Sequence, residues 1–139
     1  MRIILLIMIG LSVLHADFTR NAAGVVTDNT TALEWQDTLP YMSSNWSDAI
    51  AACENLVLDG KNDWRLPNLN ELLSILDDTV YNPSSDAVFQ NVNLIDFYWS
   101  STTRSHLTDS AWVIDFYNGF QFAQMKTDSY DVRCVRGGL

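Results

Sequence analysis

Basic residues are scarce: 8 Lys and Arg face 17 Asp and Glu, giving a formal charge of −9 over 139 residues. A field of that sign repels nucleic acid, anionic glycans and anionic lipid surfaces, so none of these is an expected partner. Histidine is almost absent, with only His106 beyond the first 15 residues. The two cysteines, Cys53 and Cys134, have neither CxxC spacing nor a histidine at ligand distance, which excludes the common zinc frameworks. With 6 Gly and 3 Pro there is no linker, low-complexity segment or repeat to divide the chain. Long apolar runs are also missing, except over residues 3–13.

That run is shorter than the roughly 20 residues needed to span a bilayer. Arg2 precedes it and Leu14-His15-Ala16 ends it, which is the pattern of a secretory signal peptide cut after Ala16. The expectation is therefore a secreted or periplasmic protein, with residues 17–139 as one domain that does not insert into the membrane after cleavage. Removal of Arg2 makes that domain one unit more negative still. Export places both cysteines in an oxidising compartment, where an even count reads as a disulfide. By the chain-entropy account, closing so long a loop stabilises the fold by about 4–5 kcal/mol.

What is present is aromatic and mixed in period. Residues 25–27 and 32–35 read as two strands around the turn Asp28-Asn29-Thr30. Trp46, Ala49, Ile50, Cys53 and Leu56 form one stripe of a helix capped by Asn45 or Ser44, so Cys53 faces the core. Asn68 and Glu71 make an N-terminal capping pair for a second helix, whose buried face is Leu69, Leu72, Leu73 and Leu76. Residues 77–96, rich in Asp, Asn and Ser, form a long irregular loop, either a binding loop or a packed Ω-loop. Strands follow at 97–102 and 111–117, the latter joined by an Asn118-Gly119 hairpin turn to residues 120–126. Tyr130, Val132 and Cys134 share a face of a terminal strand, so the disulfide ties the first helix to the last strand. The fold class is α+β: two helices flanking short antiparallel strands, with a long irregular loop.

Several stretches resemble the DUF1566 family, also called the Lcl C-terminal domain family, of bacterial exported proteins. They are Val26-Thr27-Asp28-Asn29-Thr30-Thr31-Ala32-Leu33-Glu34-Trp35-Gln36, Gly60-Lys61-Asn62-Asp63-Trp64-Arg65-Leu66-Pro67-Asn68, Trp99-Ser100-Ser101-Thr102, Ala111-Trp112-Val113 and Val132-Arg133-Cys134-Val135-Arg136. The family usually carries Gly where this chain has Ala32. The resemblance implies a C-type-lectin-like fold with the same helix-to-terminal-strand disulfide. It also implies an adhesin-like or ligand-binding role, although the acidic charge gives sulfated glycans little to hold.

Such a fold invites three chemistries. Calcium-dependent sugar binding would use Glu-Pro-Asn and Trp-Asn-Asp triplets, and neither occurs; only Asp77, Asp78, Asp86 and Asp96 offer oxygens, at irregular spacing. Oxidase chemistry like that of formylglycine-generating enzymes needs reactive thiols, which the disulfide removes. Hydrolysis needs a nucleophile and base, and His106 lies in a polar loop without a nucleophile-elbow motif. No enzyme activity, cofactor or metal is expected. The five tryptophans read as core, and Arg65 as the partner of a carboxylate that holds the segment before Pro67. The remaining surface is Asp115, Tyr117, Asn118 and Phe120 on the hairpin, with Tyr98 beside them and the 77–96 loop adjoining. Tyrosines and amides on a rigid turn suit a neutral glycan or a protein surface. The expected function is an exported lectin-like binding or adhesion module; the alternative is a structural or assembly subunit of an envelope complex.

Overall fold

In the computed structural model, which describes residues 17–138, the chain opens with three short antiparallel strands. They are β1 (Phe18–Arg20), β2 (Val25–Asp28) and β3 (Glu34–Gln36). The signal peptide expected over residues 1–16 lies outside the described residues. Between β2 and β3, Asp28 Oδ1 accepts the amides of Thr30 and Thr31, and Ala32 takes a left-handed φ of 62°. Left-handed backbone disfavours any Cβ, which is the physical reason a glycine suits position 32.

The helices form as their local patterns require. In α1 (Trp46–Glu54) Asn45 is the N-cap, its side chain accepting the Asp48 amide at 3.0 Å. Ala49 and Cys53 are buried, while Trp46, Ile50 and Leu56 pack beside them. In α2 (Leu69–Ser74) Asn68 and Glu71 complete the reciprocal capping box. The Glu71 carboxylate also accepts from both terminal guanidinium nitrogens of Arg65 at 2.7 Å, which fixes the extended segment ahead of Pro67. Leu72 is buried as expected, but the second fully covered position is Ile75; Leu69, Leu73 and Leu76 are half-buried.

Five strands make the second sheet: β4 (Met42–Ser44), β5 (Phe97–Thr103), β6 (Ser110–Asp115), β7 (Gln121–Met125) and β8 (Tyr130–Val132). Their order is β4-β8-β5-β6-β7, with β5 and β8 parallel and the other neighbours antiparallel. The remaining pair, β9 (Val135–Arg136), joins β3 in the first sheet. The expected single terminal strand is thus divided. β8 belongs to one sheet and β9 to the other, with Arg133 and Cys134 at the crossing. Two long-range attachments turn the chain there: Arg133 donates to Gln36 O at 2.7 Å, and Cys134 is bonded to Cys53, 81 residues away. Both cysteines are fully buried.

Alternation along β6 predicts one covered face, with Trp112, Ile114 and Phe116 inward and Val113 outward. Instead Val113 and Ile114 are both fully buried, because both faces of the sheet are covered. Trp99, Ala111 and Val113 pack with Ala49, Cys53, Trp64 and Leu66 on one side. Tyr98, Ile114 and Phe116 pack with Trp35, Leu72, Ile75 and Phe89 on the other. Three tryptophans, Trp35, Trp64 and Trp99, are core residues as expected, whereas Trp46 and Trp112 are half-buried.

Candidate functional site

The β6–β7 hairpin closes over four residues, 116–119, not over Asn118-Gly119 alone. Asp115 N donates to Phe120 O at 2.9 Å and Gly119 N to Asp115 O at 2.7 Å. Burial of Phe116 under the sheet pulls that residue out of the ladder and lengthens the turn. Two side chains from the predicted surface brace it: Asp115 Oδ1 accepts Tyr117 N at 2.8 Å, and Asn118 Oδ1 accepts Phe120 N at 2.9 Å. Gly119 has φ 78°, and a Cβ there would stand 3.5 Å from the Ser84 Cβ.

Ser84 is that close because the 77–96 loop is stitched to the turn by main-chain bonds. Asn82 N donates to Tyr117 O at 2.8 Å, Ser84 N to Phe116 O at 2.7 Å and Asp77 N to Ser84 O at 3.1 Å. Between loop and turn lies a groove of about 250 Å³. Leu76, Val80 and Phe120 form its apolar walls, and Asp77, Asp78, Ser84 and Asn118 its polar rim. Phe120 is 64% and Val80 44% exposed, so the apolar walls face solvent.

The structure thus brings Asn118 and Phe120 into the groove, with Asp115 and Tyr117 in the same turn and Tyr117 exposed beside it. Tyr98 does not join them. Its ring is buried edge-on against Phe116, its hydroxyl accepts the Asn93 amide at 2.8 Å, and burial pushes its pKa up. The groove adds Leu76, which the helix periodicity assigns to the buried stripe of α2, and Val80 and Ser84, which carry no periodic signal; the turn formers around Asp77-Asp78-Thr79 and Asn82-Pro83-Ser84 are the nearest hint of these two.

The far end of the same loop is held by charge. Asp37 is buried, and its carboxylate accepts from Arg20 Nε at 3.0 Å, Gln90 N at 2.9 Å, Asn91 N at 3.0 Å and an Arg133 terminal nitrogen at 3.1 Å. Burial alone would push the Asp37 carboxyl up; the Arg133 charge and these donors outweigh it and hold the pKa below the usual carboxylate range. The other terminal nitrogen of Arg133 donates to Asn91 O at 2.6 Å. Nearby Asp131 has the opposite balance. Burial pushes its carboxyl up, with one Asn93 amide at 2.7 Å opposing.

Of the acids weighed for calcium, Asp77 and Asp78 reach the groove, whereas Asp86 accepts the Val88 amide and Asp96 the Phe97 amide. Among the described residues no three His, Cys, Asp or Glu side chains are placed to share a metal ion. His106 is exposed in the β5–β6 turn, while Ser100 is buried and donates to Trp112 O at 2.7 Å.

The sequence model of the family described as the Lcl C-terminal domain matches residues 24–136, from the glycine before β2 to the last residue of β9. Comparison with curated proteins returned no match.

Proposed function

We propose that this chain, which belongs to the Lcl C-terminal domain family, is an exported lectin-like binding or adhesion module whose ligand seat is the groove between the 77–96 loop and the hairpin turn. The observation that carries the reading is that an exposed Phe120 lines the same groove as Leu76 and Val80, together with polar Asp77, Asp78, Ser84 and Asn118. Aromatic and aliphatic walls supply contact area, and fixed amide, hydroxyl and carboxylate groups set orientation. At about 250 Å³ the groove suits one sugar ring or one side chain of a protein partner, below the ~300–1,000 Å³ typical of drug-sized ligands. What supports a C-type-lectin-like arrangement is the pair of helices beside two sheets, the disulfide from α1 to the crossing at Cys134, and the long anchored loop. The leader-like N-terminus and the buried disulfide support export.

The test is a screen of the oxidised protein over residues 17–139 against neutral and charged glycans, with calcium and with EDTA. A neutral ligand bound equally in both is expected, and Phe120→Ala should weaken it at least tenfold, ~1.4 kcal/mol, with the melting temperature unchanged. A ligand that Phe120→Ala leaves untouched would move the site elsewhere. A structural or assembly role in an envelope complex is the second reading, supported by the uncharged free edge at β7.

A further inference from the structure

Asn118 is the one asparagine of the chain that is followed by glycine. A glycine amide has no side chain beside it to obstruct its nitrogen, so this dipeptide closes to a five-membered succinimide more readily than other asparagine pairs. In that closure the Gly119 nitrogen gives up its proton and bonds to Asn118 Cγ, the bond from Cγ to Nδ2 breaks, and ammonia leaves with the proton. Water then opens the ring at either carbonyl, giving aspartate or its isomer isoaspartate. Water is the only co-reactant. Both residues are half-exposed and line the groove, so ammonia can leave and water can enter.

The turn holds the reacting atoms apart from this course. Gly119 N donates to Asp115 O at 2.7 Å, which engages the proton that the nucleophile must lose. Asn118 Oδ1 accepts Phe120 N at 2.9 Å, which fixes the side-chain carbonyl on residue 120. Closure of the ring requires both bonds to break. Three further bonds resist that: Tyr117 N to Asp115 Oδ1 at 2.8 Å, Asn82 N to Tyr117 O at 2.8 Å and Ser84 N to Phe116 O at 2.7 Å.

We infer that Asn118 is a deamidation site whose reaction is gated by opening of the 116–119 turn. The folded rate is then the open fraction multiplied by the rate of the unfolded chain. Aspartate at position 118 keeps an oxygen for the Phe120 amide and brings a third carboxylate to a groove that Asp77 and Asp78 already line. Isoaspartate adds a carbon to the main chain ahead of Gly119, which puts the Gly119–Asp115 and Asp115–Phe120 main-chain bonds out of register. An effect of either product on a ligand rests on the groove being the ligand seat; the modification itself does not.

Peptide mapping by mass spectrometry tests this on the oxidised protein over residues 17–139, incubated in mildly alkaline buffer with and without urea. In urea Asn118 is expected to convert faster than every other asparagine. In the folded chain its conversion should be about tenfold slower or more, and slowed at least as much as folding slows hydrogen exchange at the Gly119 amide. Asp115→Ala removes the brace on Tyr117 and should speed conversion in the folded chain; if that variant misfolds, the wild-type comparison decides alone. Equal rates with and without urea, another asparagine converting first in urea, or a folded Asp115→Ala chain that converts no faster than wild type overturns the inference. None of these readouts involves a ligand, so the groove reading stands or falls separately, on Phe120→Ala.

Discussion

The two faces of the five-stranded sheet are covered by different means. Beneath Trp99 and Val113 the cover is α1, tied covalently through Cys53 to Cys134. Beneath Tyr98 and Ile114 it is α2 and the 77–96 loop, which has no covalent tie. There the loop is pinned at one end by the Asp37–Arg133 charges and at the other by main-chain bonds from Asn82 and Ser84 to the hairpin turn. The groove sits on the second side. An irregular segment can thus be held against a sheet at two distant points, and the groove forms on the 76–80 stretch ahead of the first of them.

Removing the covalent tie should have the largest effect. A Cys53→Ala, Cys134→Ala double variant should lose about 4–5 kcal/mol of stability, read as a lower urea midpoint. A midpoint equal to that of wild type would mean that packing under Trp99 suffices alone. Breaking the ionic anchor comes next. Asp37→Ala leaves Arg133 buried without its carboxylate and should cost about 3–5 kcal/mol. Hydrogen exchange should accelerate first at the Gln90 and Asn91 amides; protection retained there would show that the loop does not depend on Asp37.

The smallest effect separates the buried carboxylates Asp37 and Asp131 by sign. Asp37 has a depressed folded pKa, so the stability it contributes is present above its unfolded value of about 3.9 and is lost as pH falls through the folded one. Asp131 has a raised folded pKa, so its contribution is present below the unfolded value and is lost as pH rises through the folded one. Asp131→Asn, which keeps an acceptor for Asn93, should therefore raise stability at pH 7 by less than about 1 kcal/mol. That advantage should vanish toward pH 3, and thermal melts at both pH values check it.

Local chemistry made half of this legible in the sequence. The α1 stripe, the Asn68–Glu71 capping box, the Arg65 partner and the disulfide all follow from spacings of a few residues or from compartment. What escaped had a physical cause in each case. A two-residue alternation cannot say which face is covered when both are, so Val113 and Tyr98 were expected at the surface side. Asp37 and Arg133 lie 96 residues apart, and nothing in either neighbourhood marks the pairing. The turn at Asn118-Gly119 was visible, but its four-residue length depends on Phe116 reaching a core built by α2 and the loop. The walls at Leu76 and Val80 join Phe120 only once that loop has been folded back onto the turn.

The crossing at Arg133 and Cys134 also governs the order of assembly. β8 is the strand that joins β4 to β5, and β9 closes the first sheet against β3. Both come last in the chain among the described elements. A polypeptide emerging from its N-terminal end therefore holds Cys53 as a thiol, and both sheets incomplete, until the final segment arrives. Contacts of such long sequence separation pay loop closure before they gain energy, and slow folding follows. The Cys53–Cys134 bond therefore forms only after the segment that completes both sheets has joined them.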